Sequence, residues 1–325
     1  MNYMVNDQKK ISIITICYNE ESNIVPMYER LKKTLEQANC SFEIIYVDNN
    51  SDDNSLSIYE DLCAKDKRVK VILMSRNFGY SQSSYLAGLK YCSGDCAILL
   101  DGDLQDPPEL ISKFLKKWQE GFDVVYGIRH KRQGGIIWQI LYKLFYRVFR
   151  KLAYISVPVD ASDFGLMDRK VVNEIIKFGE RDIFIRGVRP YVGFKQTGIE
   201  YERALRLSGQ TTQSFFRGLF NAKRLIINFS YKPLEWISNF AFLVMVLAFV
   251  AIIIYMVAFF WGPTPPSGIP TLIVFILFFS GIQLLAISVM GDYLGKIFEE
   301  VKHRPRFIAR KILNDDREIP LVDDL

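Results

Sequence analysis

The sequence predicts an α/β protein, an open and mostly parallel sheet followed by amphipathic interfacial helices and a C-terminal two-helix transmembrane hairpin. Three observations carry that reading. From Ile11 to Gly127, strand-length apolar runs alternate with helix-length stretches, the order that packs as a parallel sheet with right-handed crossovers. Each apolar run stops on polar or charged residues, and in such sheets ligands collect at the carboxyl ends of the strands. Lastly, no Asp, Glu, Lys or Arg occurs between Trp236 and Gly291.

Ile11 to Cys17 reads as a buried strand that ends at Tyr18-Asn19-Glu20-Glu21-Ser22. Ser22 or Asn23 is placed to cap the next helix, in which Ile24, Met27, Leu31 and Leu35 fall on one face. Phe42 to Val47 is a second strand and runs into Asp48, with Asp53 five residues on. Val69 to Met74 is a third, leading to Ser75-Arg76-Asn77-Phe78-Gly79, and a helix is expected over Gln82 to Tyr91. The fourth strand ends on Asp101-Gly102-Asp103-Leu104-Gln105-Asp106-Pro107-Pro108-Glu109, and its proline pair opens a helix from Pro108 to Trp118. Asp106, directly before Pro107, is expected as that helix's cap. Asp123 to Gly127 makes a fifth strand, with Arg129 just beyond it.

Side chains alternate along an extended segment, so Asp101 and Asp103 point the same way. Two carboxylates that close repel unless a cation sits between them. With no His or Cys nearby, hard oxygen ligands favour Mg²⁺ or Mn²⁺, ions that keep waters and substrate phosphates in their other positions. The sequence has neither a GxGxxG after the first strand nor a GxxxxGK[ST], which argues against a dinucleotide dehydrogenase and a P-loop ATPase. The converging strand ends instead suit a nucleotide-type pocket, and no nucleic-acid partner is expected. Five cysteines, Cys17, Cys40, Cys63, Cys92 and Cys96, make no CxxC pair and read as reduced thiols, while His130 and His303 stand alone. No signal peptide is evident.

Residues 134–155 interleave large apolar side chains with Lys143, Arg147, Arg150 and Lys151, and residues 211–228 repeat the texture, as suits an anionic membrane surface. Trp236 to Trp261 and Ile269 to Tyr293 each exceed the roughly 20 residues that cross a bilayer. Basic residues flank both, from Lys223, Arg224 and Lys232 to Lys296, Lys302 and Arg304, and the uncharged turn Gly262 to Gly268 lies between. The positive-inside rule therefore puts both flanks in the cytoplasm. Ala241, Ala248 and Gly281 leave room for close helix packing in a homo-oligomer. The acidic stretch from Asn314 to Leu325 is expected to be mobile.

The motifs Cys17-Tyr18-Asn19-Glu20, Val47-Asp48 with Asp53, Arg76-Asn77-Phe78-Gly79, Asp101 to Glu109 and Asp163-Phe164-Gly165-Leu166-Met167-Asp168 together resemble the polyprenyl-phosphate glycosyltransferases. These are membrane-associated members of glycosyltransferase family 2 with a Rossmann-like GT-A fold, and the two-span hairpin is similar to their bacterial branch. The chain is thus expected to divide into a GT-A catalytic domain over 1–210, an interfacial region over 211–234, a hairpin over 235–294 and a cytosolic basic-then-acidic tail over 295–325. The resemblance implies transfer of a single sugar from a UDP- or GDP-linked donor to polyprenyl phosphate at a bacterial inner membrane. Glu20 and Asp48 would contact ribose and base, with Tyr18, Asn19, Asp53 and Arg76 in the same nucleotide-binding set. Asp101, Asp103 and Gln105 would hold the divalent ion, and Arg129, Arg203 and Arg206 would meet phosphates. Arg181 and Arg186 are weaker candidates for the acceptor phosphate. After Gly209 the chain carries Thr211-Thr212-Gln213 where relatives have a lysine and an aromatic. Glucose from UDP-glucose is the expected donor chemistry, with mannose from GDP-mannose, aminoarabinose-type transfer and a non-catalytic scaffold as alternatives. A processive polymer synthase is disfavoured because QxxRW is missing.

Overall fold

The computed structural model describes residues 9–79, 81–129, 161–203, 227–261 and 268–315. Eight strands form one sheet: β1 (Lys10–Cys17), β2 (Ser41–Asp48), β3 (Val69–Met74), β4 (Cys96–Asp101), β5 (Val124–Arg129), β6 (Ala161–Asp168), β7 (Gln196–Tyr201) and β8 (Ala309–Leu313). Their order is β7-β5-β6-β4-β1-β2-β3-β8. β1 pairs in parallel with β2 and β4, β2 with β3, and β5 with β7, whereas β6 and β8 run against their neighbours. Six strands therefore deliver their carboxyl ends to one edge, and reversed β6 brings its amino end, Ala161-Ser162-Asp163, to that same edge.

Apolar side chains alternate between the two faces of the sheet, as strands buried on both sides require. Ile13, Tyr46, Val71 and Leu100 face a core with helices α1 (Glu21–Gln37), α2 (Ser55–Lys65) and α4 (Ile111–Gln119). Ile14, Val47, Ile72 and Leu99 face a second core with α3 (Ser81–Tyr91), α5 (Arg169–Ile176) and α6 (Ile185–Tyr191). The predicted alternation of strands and helices holds through β5, which reaches Arg129 rather than ending at Gly127. Two caps differ from expectation. α1 starts at Glu21, so Ser22 and Asn23 lie inside its first turn, and Asp53 accepts from the Glu21 N–H at 3.0 Å instead. The proline pair opens a short 3₁₀ turn, Pro108–Leu110, before α4, with no side-chain cap from Asp106.

The segment beyond the second apolar helix also departs from expectation. Residues 309–313 form edge strand β8 on β3, Phe307 is fully buried, and Ser75 N–H donates to the Ile308 carbonyl at 2.9 Å. Asn314, expected at the start of a mobile tail, donates to the Val69 carbonyl at 2.6 Å, and Asp315 pairs with Lys70 at 3.3 Å. The chain divides into two compact units, one of residues 1–150, 155–214 and 303–325, the other of 151–154 and 215–302. The second unit holds α7 (Lys232–Trp261) and α8 (Ile269–Val301), about 45 and 50 Å long and apolar enough to cross a membrane. Phe242, Leu247, Phe249, Leu277, Leu284 and Leu294 are exposed along them. The expected basic-apolar stretch at 134–155, most of that at 211–228 and the proline-rich turn lie outside the described residues.

Candidate active site

At the carboxyl edge, Asp101 closes β4 and Asp103 follows across Gly102. A Cβ at Gly102 would lie 2.5 Å from Cys17 Sγ and 2.7 Å from the Ile16 carbonyl oxygen, so only glycine passes here. Leu104 then takes φ +58°, a left-handed conformation that costs a bulky residue about 1–3 kcal/mol, while its side chain is buried in the first core. The turn is thus pinned by packing, and the two carboxylates turn inward together.

Both meet one cation. Arg203 Nη2 lies 3.6 Å from Asp101 Oδ2 and 3.4 Å from Asp103 Oδ2. Asp101 Oδ1 accepts from the Tyr85 hydroxyl of α3 at 2.6 Å, and Asp103 Oδ1 accepts from the Gln105 N–H at 3.1 Å. Burial first, and then the charge of Asp106, push the Asp101 carboxyl above the usual range. An anion held in that setting is stabilised by a bound cation.

Asp106 is an anion for the arginines and not a helix cap. It is 1% exposed, and its carboxylate lies 3.6 Å from Arg129 Nη2 and 3.6 Å from Arg203 Nε. Tyr201 of β7 donates its hydroxyl hydrogen to Asp106, and Arg129 Nε donates to the Tyr201 oxygen at 3.1 Å. Arg129 Nη2 also donates to Ser162 Oγ at 3.1 Å. Burial would lower the Arg129 pKa, but Asp106 and Tyr201 outweigh it and hold it above its ordinary value. Burial and Asp106 also push the Tyr201 phenol up to about 12. Gly127 makes room for the Tyr201 ring, since a Cβ there would lie 2.6 Å from it. Asp106, Tyr201 and Ser162 thus join the site without having been identified as site residues from sequence. Neighbouring Arg186 pairs with Asp163 at 3.1 Å, and fully buried Arg189 donates to the Ser162 carbonyl at 2.7 Å. Arg181 is turned to the C-terminal segment, donating to the Arg304 carbonyl.

The nucleotide-type residues gather on the loops after β1, β2 and β3. Asn19 and Asn50 sit at positive φ, 54° and 62°. Asn19 N–H donates to Ser51 Oγ at 2.9 Å, Asp52 N–H returns a bond to Asn19 Oδ1 at 2.9 Å, and the Tyr18 hydroxyl reaches Asp52 at 3.4 Å. Asp48 is buried and accepts from the Ser51 N–H and hydroxyl. Asp53 accepts from the N–H groups of Glu21 and Ser55, tying two helix starts together. Glu20 accepts from the Asn23 amide. Arg76 stacks 4.1 Å over Phe78, and Asn49 donates to Asn77 at 2.9 Å. Arg206 lies outside the described residues.

As a metal site the acid pair supplies part of a coordination shell. Among the described residues, no group of three or more His, Cys, Asp and Glu side chains forms a cage for an ion. Two carboxylate oxygens do converge on one cationic nitrogen, so the pair can share a single positive charge. A pair of hard oxygens fits Mg²⁺ or Mn²⁺ that arrives with waters and a diphosphate.

The sequence model described as glycosyl transferase family 2 matches residues 12–176. The chain is 40% identical over 301 residues to the uncharacterized glycosyltransferase YkcC of Bacillus subtilis (strain 168), covering 92% of this chain and 93% of that one. It is 33% identical over 313 residues to the SfII prophage-derived bactoprenol glucosyl transferase of Shigella flexneri, covering 93% and 98%. Among solved structures it is similar to glucosyl-3-phosphoglycerate synthase from Mycobacterium tuberculosis in complex with Mn²⁺, uridine-diphosphate and glucosyl-3-phosphoglycerate. That match has a TM-score of 0.44 and 16% identity, covering 68% of this chain and 78% of that one.

Proposed function

The chain belongs to glycosyl transferase family 2, and from that premise we propose that it transfers one glucose, with inversion, from UDP-glucose to polyprenyl (undecaprenyl) phosphate at the cytoplasmic face of a bacterial inner membrane. The observation that carries this reading is the match to the bactoprenol glucosyl transferase of Shigella flexneri. At 93% of this chain it extends through the two apolar helices as well as the acid site. A lipid acceptor explains why one chain carries both. Two spans return the chain to the side it left, which suits the reappearance of residues 303–315 within the first unit.

Asp101 and Asp103, with Gln105, are assigned the divalent ion, and Tyr18, Asn19, Glu20, Asp48, Asp53 and Arg76 the nucleoside. Bound there, Mg²⁺ or Mn²⁺ supplies Lewis-acid neutralisation of charge on the departing diphosphate. The acceptor phosphate is already anionic near neutral pH, so the site needs no dedicated general base. Its harder task is bringing two anions together, and Arg129, held rigid by Asp106, Tyr201 and Ser162, is suited to it. Arg203 and Arg206 are assigned to the diphosphate, and the basic-apolar stretches to the anionic membrane surface. In-line attack by the lipid phosphate oxygen on the anomeric carbon breaks its bond to the diphosphate and inverts that centre.

The test incubates membranes containing the full chain with undecaprenyl phosphate, Mg²⁺ or Mn²⁺ and radiolabelled UDP-glucose or GDP-mannose in parallel. Lipid-extractable label from UDP-glucose, as a single-sugar product, is the expected result. Label from GDP-mannose alone would replace the donor, and binding of nucleotide-sugar without any lipid product would make the chain a scaffold.

A further inference from the structure

We infer that Arg310, from the strand beyond the apolar hairpin, is a positioning residue of the nucleoside site and acts through Asp48. The inference rests on the nucleotide-binding reading above and extends it to a segment about 260 residues away in sequence. The geometry comes from the sheet. β2, β3 and β8 are consecutive neighbours, with Asp48 opposite Leu73 on β3 and Leu73 in turn opposite Lys311 on the edge strand.

The register between β3 and β8 then slips: Leu73 pairs with Lys311 but Met74 pairs with Ala309, so Arg310 is the extra residue of a β-bulge. Ala309 and Ile312 both pack against the second core although they are three residues apart. In an unbroken strand such residues would face opposite sides. The bulge absorbs the difference and leaves both Arg310 and Lys311 on the other face, the one shared by Leu73 and the first core. Tyr46 lies on that face too, and Asp48, two residues along β2, shares it. Bulges at a sheet edge commonly re-aim a side chain in this way.

The electrostatics agree with the placement. Burial, and the charge of Asp53 with it, raise the Asp48 carboxyl, while Ser51 and the positive charge of Arg310 work against that rise. Asp48 accepts the Ser51 N–H and hydroxyl and so shapes the loop 48–53. The same edge strand holds the loop after β3, through the bond from Ser75 N–H to the Ile308 carbonyl. Arg310 is exposed and β8 is short, so the effect is one of charge at the loop more than of packing.

The test uses the full chain in detergent and measures UDP and GDP binding by calorimetry, with steady-state kinetics for the donor that binds. Arg310→Ala is expected to weaken nucleotide binding and raise the donor KM about fivefold, with kcat within about twofold and an unchanged melting temperature. Arg310→Lys is expected to restore binding to within about twofold, because charge and not hydrogen-bond shape is required. Should Arg310→Ala fail to fold, Arg310→Gln keeps the side-chain stem and answers the same question. Wild-type affinity in a folded Arg310→Ala or Arg310→Gln protein, or an equal loss in Arg310→Lys, overturns the inference while leaving the nucleotide site standing. A wild-type chain that binds neither nucleotide overturns the reading on which both depend.

Discussion

Asp106 and Arg203 show how closely charge is balanced around the turn after β4. Three carboxylates fall within six residues, and Arg203 reaches all of them while Arg129 reaches the buried one. Removing one partner of such a group leaves an uncompensated charge, which costs about 3–5 kcal/mol where the pair is buried. Asp106→Ala is therefore expected to lower stability by about that amount and to mobilise Arg129, visible as a lower midpoint in urea and a sharp fall in transfer. Asp103→Ala acts differently, because its carboxylate is half of the cation pair and is more open than Asp106. Activity is expected to fall by about 10²–10³-fold with little loss of stability, and the Mn²⁺ concentration dependence to flatten. Retained activity with unchanged metal dependence would refute the assignment of that residue.

At the scale of the element, the turn Asp101-Gly102-Asp103-Leu104 is fixed by what it touches. Gly102→Ala would drive a methyl group into Cys17 Sγ and the Ile16 carbonyl, and backbone cannot yield as a flexible side chain would. The expected result is a folded protein with a melting point a few degrees lower and transfer reduced about tenfold or more, read by melting and assay on the same sample. The opposite edge of the sheet carries a separate device. Glu43 on β2 is 1% exposed and bound by Ser12, Ser93, Lys10 and Lys70. Burial opposes its ionisation, but these partners outweigh it and hold the carboxyl at about 2, below an ordinary value of 4.5. Its contribution, about 3 kcal/mol, is fully present above pH 4.5 and is lost as the pH falls towards 2. Urea unfolding of wild type and Glu43→Gln should differ by that order at pH 6 and converge as the pH is lowered through this window.

For the whole molecule, the decisive feature is that the first unit is discontinuous in sequence. It includes residues 303–315, which follow the apolar helices in the chain. Phe307 is fully buried, edge-on to Tyr91 at 6.1 Å, and β8 covers what would otherwise be an open edge at β3. Phe307→Ala is expected to cost about 3–5 kcal/mol, measured as a drop in the unfolding midpoint of the full chain. A chain stopped after Lys302 should expose the β3 edge and aggregate, seen as an early-eluting species by size-exclusion chromatography.

The local pattern was enough to place β1 to β5, the two apolar helices and the acid pair. Period-two burial, uncharged length and paired carboxylates at a strand end are written in neighbouring residues. It was not enough for Asp106, which looks like a helix cap beside Pro107 until Tyr201 and Arg129 arrive from β7 and β5. Nor could it foretell β8, five residues of mixed character whose partner strand lies more than 230 residues earlier. Sequence alone determined where β1 to β5 and the two long apolar helices lie, because that depends on side-chain hydrophobicity and spacing along the chain. Only the tertiary structure decided which arginine meets which acid and which segment closes the sheet, because those pairings are set by strand order and by closeness in space.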